Sequence, residues 1–86
     1  MEIRVYKIFN PKTGLFSQGG SHNRWSKKGK TWNKIVNIKS HLKMLDDYGN
    51  SSQTLKTYKR DNCEVIILIH KIEHSEEINI PITDLL

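Results

Sequence analysis

Acidic side chains are almost missing from the first half of this chain. Glu2 is the only one before Asp46, and residues 1–45 carry ten Lys or Arg, for a formal charge of +9. Residues 46–86 carry eight acids and four basic side chains, for −4, so the whole chain stands at +5. A half with one carboxylate cannot build a carboxylate pair for acid–base chemistry on its own. A small nuclease assembled on His22 and Arg24 would have to draw its acid from the other half. Cysteine occurs once, at Cys63, which excludes an internal disulfide. Cys63 opens the most hydrophobic stretch of the chain and reads as a partly buried, inert thiol.

Long hydrophobic runs are missing too. The longest is Val65 to Ile69, far short of the roughly 20 residues that span a bilayer. MEIRVYKIF at the start lacks the apolar core and small-residue cleavage site of a signal peptide. The expected location is the cytoplasm, with no membrane partner. There is no phosphate loop, dinucleotide fingerprint or nucleophile elbow, and no internal repeat. Gly19-Gly20-Ser21 is a possible anion nest, but plain flexibility accounts for it better. His70 and His74 on a regular strand would lie about 13 Å apart, too far to ligate one metal, while His22 falls in a loop and His41 on a helix. No metal, no cofactor and no enzymatic activity are expected.

What is present suits a single domain over residues 1–86. Residues 3–9 alternate as a strand, with Ile3, Val5, Lys7 and Phe9 on one face and Arg4, Tyr6 and Ile8 on the other. Asn10-Pro11-Lys12-Thr13-Gly14 carries turn chemistry, and Leu15-Phe16-Ser17 returns as its hairpin partner. Residues 18–30 lack a hydrophobic period and read as a long loop. Thr31-Trp32 opens a third short strand running to Ile35 or Val36. Ile38, Leu42 and Leu45 then recur at helical spacing, with His41 and Tyr48 on the same side. The helix starts either behind an N-cap at Asn37 or earlier, at Asn33, and Gly49 is its stop. Leu55 to Tyr58 is a single turn or a short strand. Asp61-Asn62 leads into a covered strand from Glu64 to Glu73. Pro81 makes Ile78, Ile80 and Ile82 an edge or extended segment. The expected fold is α+β: a small antiparallel sheet with one helix packed on one face, in the order β-β-β-α-β plus an extended C-terminal tail.

The candidate site is the basic stretch RWSKKGKTW, Arg24 to Trp32. Arg24, Lys27, Lys28 and Lys30 would meet phosphates, Trp25 would stack on a base, and Gly29 would let the backbone approach a phosphate. Two indoles also serve as core anchors, because a chain this small rarely leaves both exposed. Lys34, Lys39 and Lys43 extend the basic stripe along the helix. With Asn37 and Ser40 beside them, they suit sequence-blind phosphate contact rather than base reading. Glu73, Glu76 and Glu77 in the tail either balance these lysines or complement the basic face of another copy. The tail isoleucines offer an edge for strand addition, so a homo-oligomer through the C-terminal edge is one expectation.

The stretch KTGLFSQGGSHNRWSKKGKTW, Lys12 to Trp32, resembles small uncharacterised accessory proteins of tailed bacteriophages. The resemblance lies in Lys-Thr-Gly-Leu-Phe-Ser, a Gly-Gly turn, and a Trp followed by Lys-Lys-Gly-Lys before a second Trp. It covers roughly residues 6–45, including the helix IKSHLKML. It is carried by Trp25, Lys28, Gly29, Lys30 and Trp32. It implies no set activity, but it implies a context: such proteins often bind nucleic acid, a host enzyme or a defence system. The expected function is a non-enzymatic basic module that contacts nucleic acid through the Lys/Arg/Trp loop and the helix face. The alternatives are an inhibitor or modulator that binds an acidic host protein, and a small nuclease.

Overall fold

Alternation along Ile3–Asn10, strand β1, sorts its side chains onto the two faces of a sheet. In the computed structural model, which describes residues 2–20, 23–47 and 52–85, Tyr6, Ile8 and Asn10 turn inward and are buried. The turn after β1 follows from its residues. The Asn10 carbonyl accepts the Gly14 N–H at 2.8 Å, and Asn10 Oδ1 accepts the amides of Lys12 and Thr13 at 2.9 and 3.3 Å. Gly14 takes φ +74°, a conformation open to glycine at no steric cost. β2, Leu15–Ser17, returns with Phe9 opposite Phe16 and Asn10 opposite Leu15.

β3, Trp25–Ser26, adds outside β2. β4, Glu64–His70, pairs with β1 from Ile3 opposite His70 to Phe9 opposite Glu64. β5, Ser75–Pro81, pairs with the other side of β4. The sheet is therefore five-stranded and antiparallel, in the order β3-β2-β1-β4-β5. Two helices, α1 (Ile35–Asp47) and α2 (Gln53–Arg60), and a closing 3₁₀ turn at Ile82–Leu85 complete the described elements. Tyr6, Ile8, Val65, Ile67 and Ile69 from the sheet pack with Ile38, Leu42 and Leu45 of α1, Leu55 and Tyr58 of α2, and Ile82. Each such aliphatic side chain contributes roughly 1.5–3 kcal/mol when fully buried.

This architecture corrects the expected β-β-β-α-β order with one helix and an extended tail. The second helix spans the segment read as a turn or short strand. Its buried stripe is Thr54, Leu55, Thr57 and Tyr58, so threonines hide the helical period from a reading based on apolar residues. Ser52 caps it, its side chain accepting the Leu55 N–H, and Lys59 and Arg60 sit in its last turn, where the dipole favours cations. The tail is a full strand rather than an extension, because Lys71–His74 forms a tight connection in which the Lys71 N–H donates to the His74 carbonyl at 2.9 Å. Pro81 ends that strand on the sheet's edge. The third strand is Trp25–Ser26, inside the segment read as loop. Trp32 makes only an isolated bridge to Tyr6, and Ile35 is already helical. Asn37 accordingly lies inside α1, not at its cap. The assignments to Tyr48, to Gly49 as a helix stop and to His22 lie outside the described residues.

Asp61 closes α2 at the end where the helix dipole disfavours a carboxylate, and its neighbours offset that. Its oxygens accept from Arg60 Nε at 3.0 Å and from Asn10 Nδ2 at 2.8 Å, with Lys12 Nζ at 3.9 Å. These donors, Arg60 first and Asn10 second, lower its carboxyl from the ordinary 3.8 to about 2. A lowered carboxyl stabilises the fold above pH ~4, and that contribution is lost as pH falls toward 2. Asp61→Asn is expected to flatten the fall in Tm between pH 4 and 2 in acid melts monitored by circular dichroism. An unchanged acid limb would show that Asp61 does not supply it.

Candidate functional site

The Arg24–Trp32 stretch is built around backbone contacts to β2. The Arg24 carbonyl accepts the Gln18 N–H at 3.0 Å, and the Lys30 N–H donates to the Ser17 carbonyl at 2.9 Å. Between them, the Gly29 N–H donates to Ser26 Oγ at 2.8 Å and closes a turn. Gly29 holds φ +66°, and a Cβ there would collide with Phe16 Cβ and approach the Ser17 carbonyl oxygen to 2.9 Å. Its role is thus close packing on β2, where the sequence suggested an approach to phosphate. The turn presents Lys27 and Lys28 to solvent, and the Lys28 carbonyl accepts Lys7 Nζ at 2.8 Å.

Neither indole is an open stacking surface. Trp25 lies opposite Ser17 in the sheet register, half-buried, with its ring edge-on to Tyr58 at 5.7 Å. Its indole N–H donates to Asn23 Oδ1 at 2.7 Å, and Asn23 Nδ2 donates to Thr57 Oγ1 at 3.0 Å, which clamps Trp25 against α2. Trp32 is buried and lies 5.6 Å from the His41 ring. Lys30 Nζ stands over the outer side of Trp32, 5.1 Å from the ring centroid.

Beside Trp32, a groove of about 530 Å³ runs between the Lys30–Asn33 segment and α1. Lys30, Asn33, Asn37, Ser40 and His41 line it, with Trp32 as apolar wall. Burial, and secondarily the nearby Lys30 charge, lower the His41 pKa and favour the neutral ring. Its Nε2 faces the Tyr58 hydroxyl at 3.1 Å, and that hydroxyl meets Ser17 Oγ at 2.6 Å. Ser17 Oγ also accepts the Gly19 N–H at 3.1 Å, which commits a donor of the suggested anion nest to the fold. Tyr58, fully buried, is pushed up to about 12. Ser, Tyr and His are arranged here as an internal polar strut, since Ser17 and Tyr58 are closed to any substrate.

The cations expected to form one surface divide around α1. Lys39 and Lys43 border a second groove of about 280 Å³ with Leu42, Asp46 and Leu85. At 100° per residue Lys39 lies about 160° from Asn37, while Lys43 is only about 60° from Ser40, so the two lysines take the flank of the exposed face that borders this second groove. Lys34 is exposed immediately before α1, where its carbonyl accepts the Asn37 N–H at 3.1 Å. Asn33 and His41 were missed by the sequence reading as site residues, and the Tyr6–Trp32 bridge places their groove beside α1. Lys7, also missed, points to the other face of the sheet, its Nζ on the Lys28 carbonyl. His70 pairs with Ser75, and His74 sits in the β4–β5 connection against Glu76. Among the described residues, no group of three or more His, Cys, Asp or Glu is placed to hold a metal. The Cys63 thiol is pushed up to about 12 by burial, then by Asp61, and is inert. No described helix is long and apolar enough to cross a membrane. No family model, curated protein or solved structure matches the chain.

Two predictions test this construction. Gly29→Ala should destabilise the fold by about 2 kcal/mol or more, from left-handed strain plus the collision with Phe16. Gly14→Ala, whose Cβ would meet nothing within 4 Å, should cost only the strain, about 1 kcal/mol. Urea titrations of both variants check the order, and equal losses would contradict it. Tyr58→Phe should lose about 1–3 kcal/mol by leaving His41 Nε2 without its partner, measured in the same titrations. A neutral effect would remove the strut from the account of stability.

Proposed function

We propose that this chain is a non-enzymatic basic module that contacts nucleic acid through Arg24, Lys27, Lys28, Lys30 and Lys34, with Lys39 and Lys43 as outlying phosphate contacts. One observation carries the reading. All seven side chains are exposed and none has an ion-pair partner among the described residues. The acids that do pair are taken by other cations: Glu2 by Arg4, Asp61 by Arg60 and Lys12, Glu76 by Lys71. A set of uncompensated cations on a small domain attracts polyanions and accelerates their association. Trp25 is removed from the contact set, because its ring is clamped against Tyr58. The resemblance of Lys12–Trp32 to phage accessory proteins fits such a role in the cytoplasm of a host cell.

A second reading, a modulator that binds a host protein, is favoured by the free edge of β5. That strand exposes Ile78 at 44 % and has backbone groups open to strand addition by a partner or a second copy. A stoichiometric protein partner that survives nuclease treatment in a pull-down would support it over the first.

Each phosphate contact contributes about −0.9 to the slope of log affinity against log salt for duplex DNA. Replacing Lys27, Lys28 and Lys30 by Ala together should weaken binding to arbitrary oligonucleotides and reduce that slope by about 2 to 3. Fluorescence anisotropy over a salt series measures both. Absence of binding to DNA and RNA at about 50 mM salt would sink the nucleic-acid reading.

A further inference from the structure

Both helices pack on one face of the sheet, and no described element covers the other. The core cluster takes Tyr6 and Ile8 from β1 and Val65, Ile67 and Ile69 from β4. The alternate residues Lys7, Phe9, Glu64, Ile66 and Leu68 therefore point the opposite way, with Ile66 buried among its neighbours on that face and Lys7, Phe9 and Leu68 half-buried. Phe16 joins them, because its neighbour Ser17 turns inward to Tyr58 and Phe16 lies opposite Phe9. Phe9 and Phe16 stand outside the core cluster, half-buried, with ring centroids 5.2 Å apart and planes tilted by 50°. Lys7 Nζ lies 4.8 Å from the Phe16 centroid. The same ammonium donates to the Lys28 carbonyl, which fixes the basic turn at the rim of the aromatic pair, and an ammonium has two further donors to offer.

Charge divides this face. Glu77 on β5, opposite Leu68, places a carboxylate on one side, and Glu64 on β4 stands directly across from Phe9 at the boundary. Lys7, Lys27 and Lys28 lie on the other, over β1, β2 and the turn after β3. A polyanion is thereby steered toward the half with Phe16 and the basic turn, reaching Phe9 from its side away from Glu64. Three strands at about 4.8 Å spacing give room for roughly two nucleotides across that half. Base faces are available for stacking in a single strand and hidden in a duplex, so an aromatic pair beside cations selects the former.

We infer that the uncovered face of β1 and β2 is a stacking platform for single-stranded nucleic acid, with Phe9 and Phe16 receiving bases and Lys7, Lys27 and Lys28 meeting the flanking phosphates. The inference rests on the nucleic-acid reading above and adds the form of the ligand and the surface that selects it.

The test compares a mixed-sequence 12-nucleotide single strand, as DNA and as RNA, with a 12-base-pair duplex by fluorescence anisotropy at about 50 mM salt. The single strands are expected to bind more tightly. The Phe9→Leu/Phe16→Leu double variant keeps an apolar side chain at both positions but removes the rings, and should lose about tenfold or more in single-strand affinity while leaving duplex affinity unchanged. Phe16→Tyr should retain binding. In the unmodified protein, titration with the single strand should shift the ring proton resonances of Phe9 and Phe16. That measurement holds even if the double variant fails to fold. Equal affinity for strand and duplex, with the ring resonances unmoved, overturns the platform and leaves the general reading standing. No binding to any probe overturns the general reading itself. Self-association abolished by the double variant, without change in single-strand affinity, also overturns the platform, since a second copy then covers the face.

Discussion

The Tyr58 hydroxyl holds three elements at one point, between Ser17 Oγ of β2 at 2.6 Å and His41 Nε2 of α1 at 3.1 Å, while its own backbone belongs to α2. The ring beneath it takes the edge of Trp25 on β3. A buried hydroxyl without partners would cost more than its hydrogen bonds return, so this position works only when the hairpin and both helices are in place together. Asn10 and Asp61 add a second such contact one turn further on, at the C-cap of α2, a hairpin side chain meeting the helix terminus at 2.8 Å. The C-terminal half of the second helix is thus tied to the β1–β2 hairpin by two polar pairs, and the aliphatic core packs beside them.

That construction decides where the charge goes. With α1 and α2 on one face, the cations of the first half divide among β1 and its turn, the turn after β3, the groove beside Trp32 and the flank of α1 that carries Lys39 and Lys43. Of the eight acids of the second half, Glu64, Glu73, Glu76 and Glu77 lie along β4 and β5 and in their connection, while Asp46 and Asp47 end α1, Asp61 caps α2 and Asp84 sits in the 3₁₀ turn. Within the sheet the basic residues lie toward β3 and the acidic ones toward β5, while the helices carry cations and acids from both halves of the chain. The two tryptophans that gave the basic stretch its look of a stacking site serve the fold. The aromatic rings on the uncovered face are phenylalanines that sequence alternation had only partly pointed to.

Parts of this were legible. Alternation in residues 3–9 placed Lys7 and Phe9 together, and Asn10-Pro11-Lys12-Thr13-Gly14 announced its turn because Asn and Gly encode the geometry locally. Ile38, Leu42 and Leu45 marked α1 because their period is helical whatever surrounds them. α2 was hidden because two of its four buried positions are threonines, which become acceptable in the core only when neighbours such as Asn23 and the Gln53 carbonyl bond Thr57. β3 was hidden because two residues carry no period. It is a strand solely by virtue of its pairing with β2.

The sequence by itself determined the charge division, the first hairpin, the core stripe of α1 and the absence of a disulfide, since each depends on residue identity or on near-neighbour spacing. Tertiary structure decided that Trp25 faces inward, that Gly29 packs on Phe16, that Lys30 and Lys39 border different grooves, and that Phe9 and Phe16 share an open face. Each of these depends on strand register or on which side of a helix meets the sheet. Such relations join residues far apart in the chain, and a one-residue shift in register would reverse them.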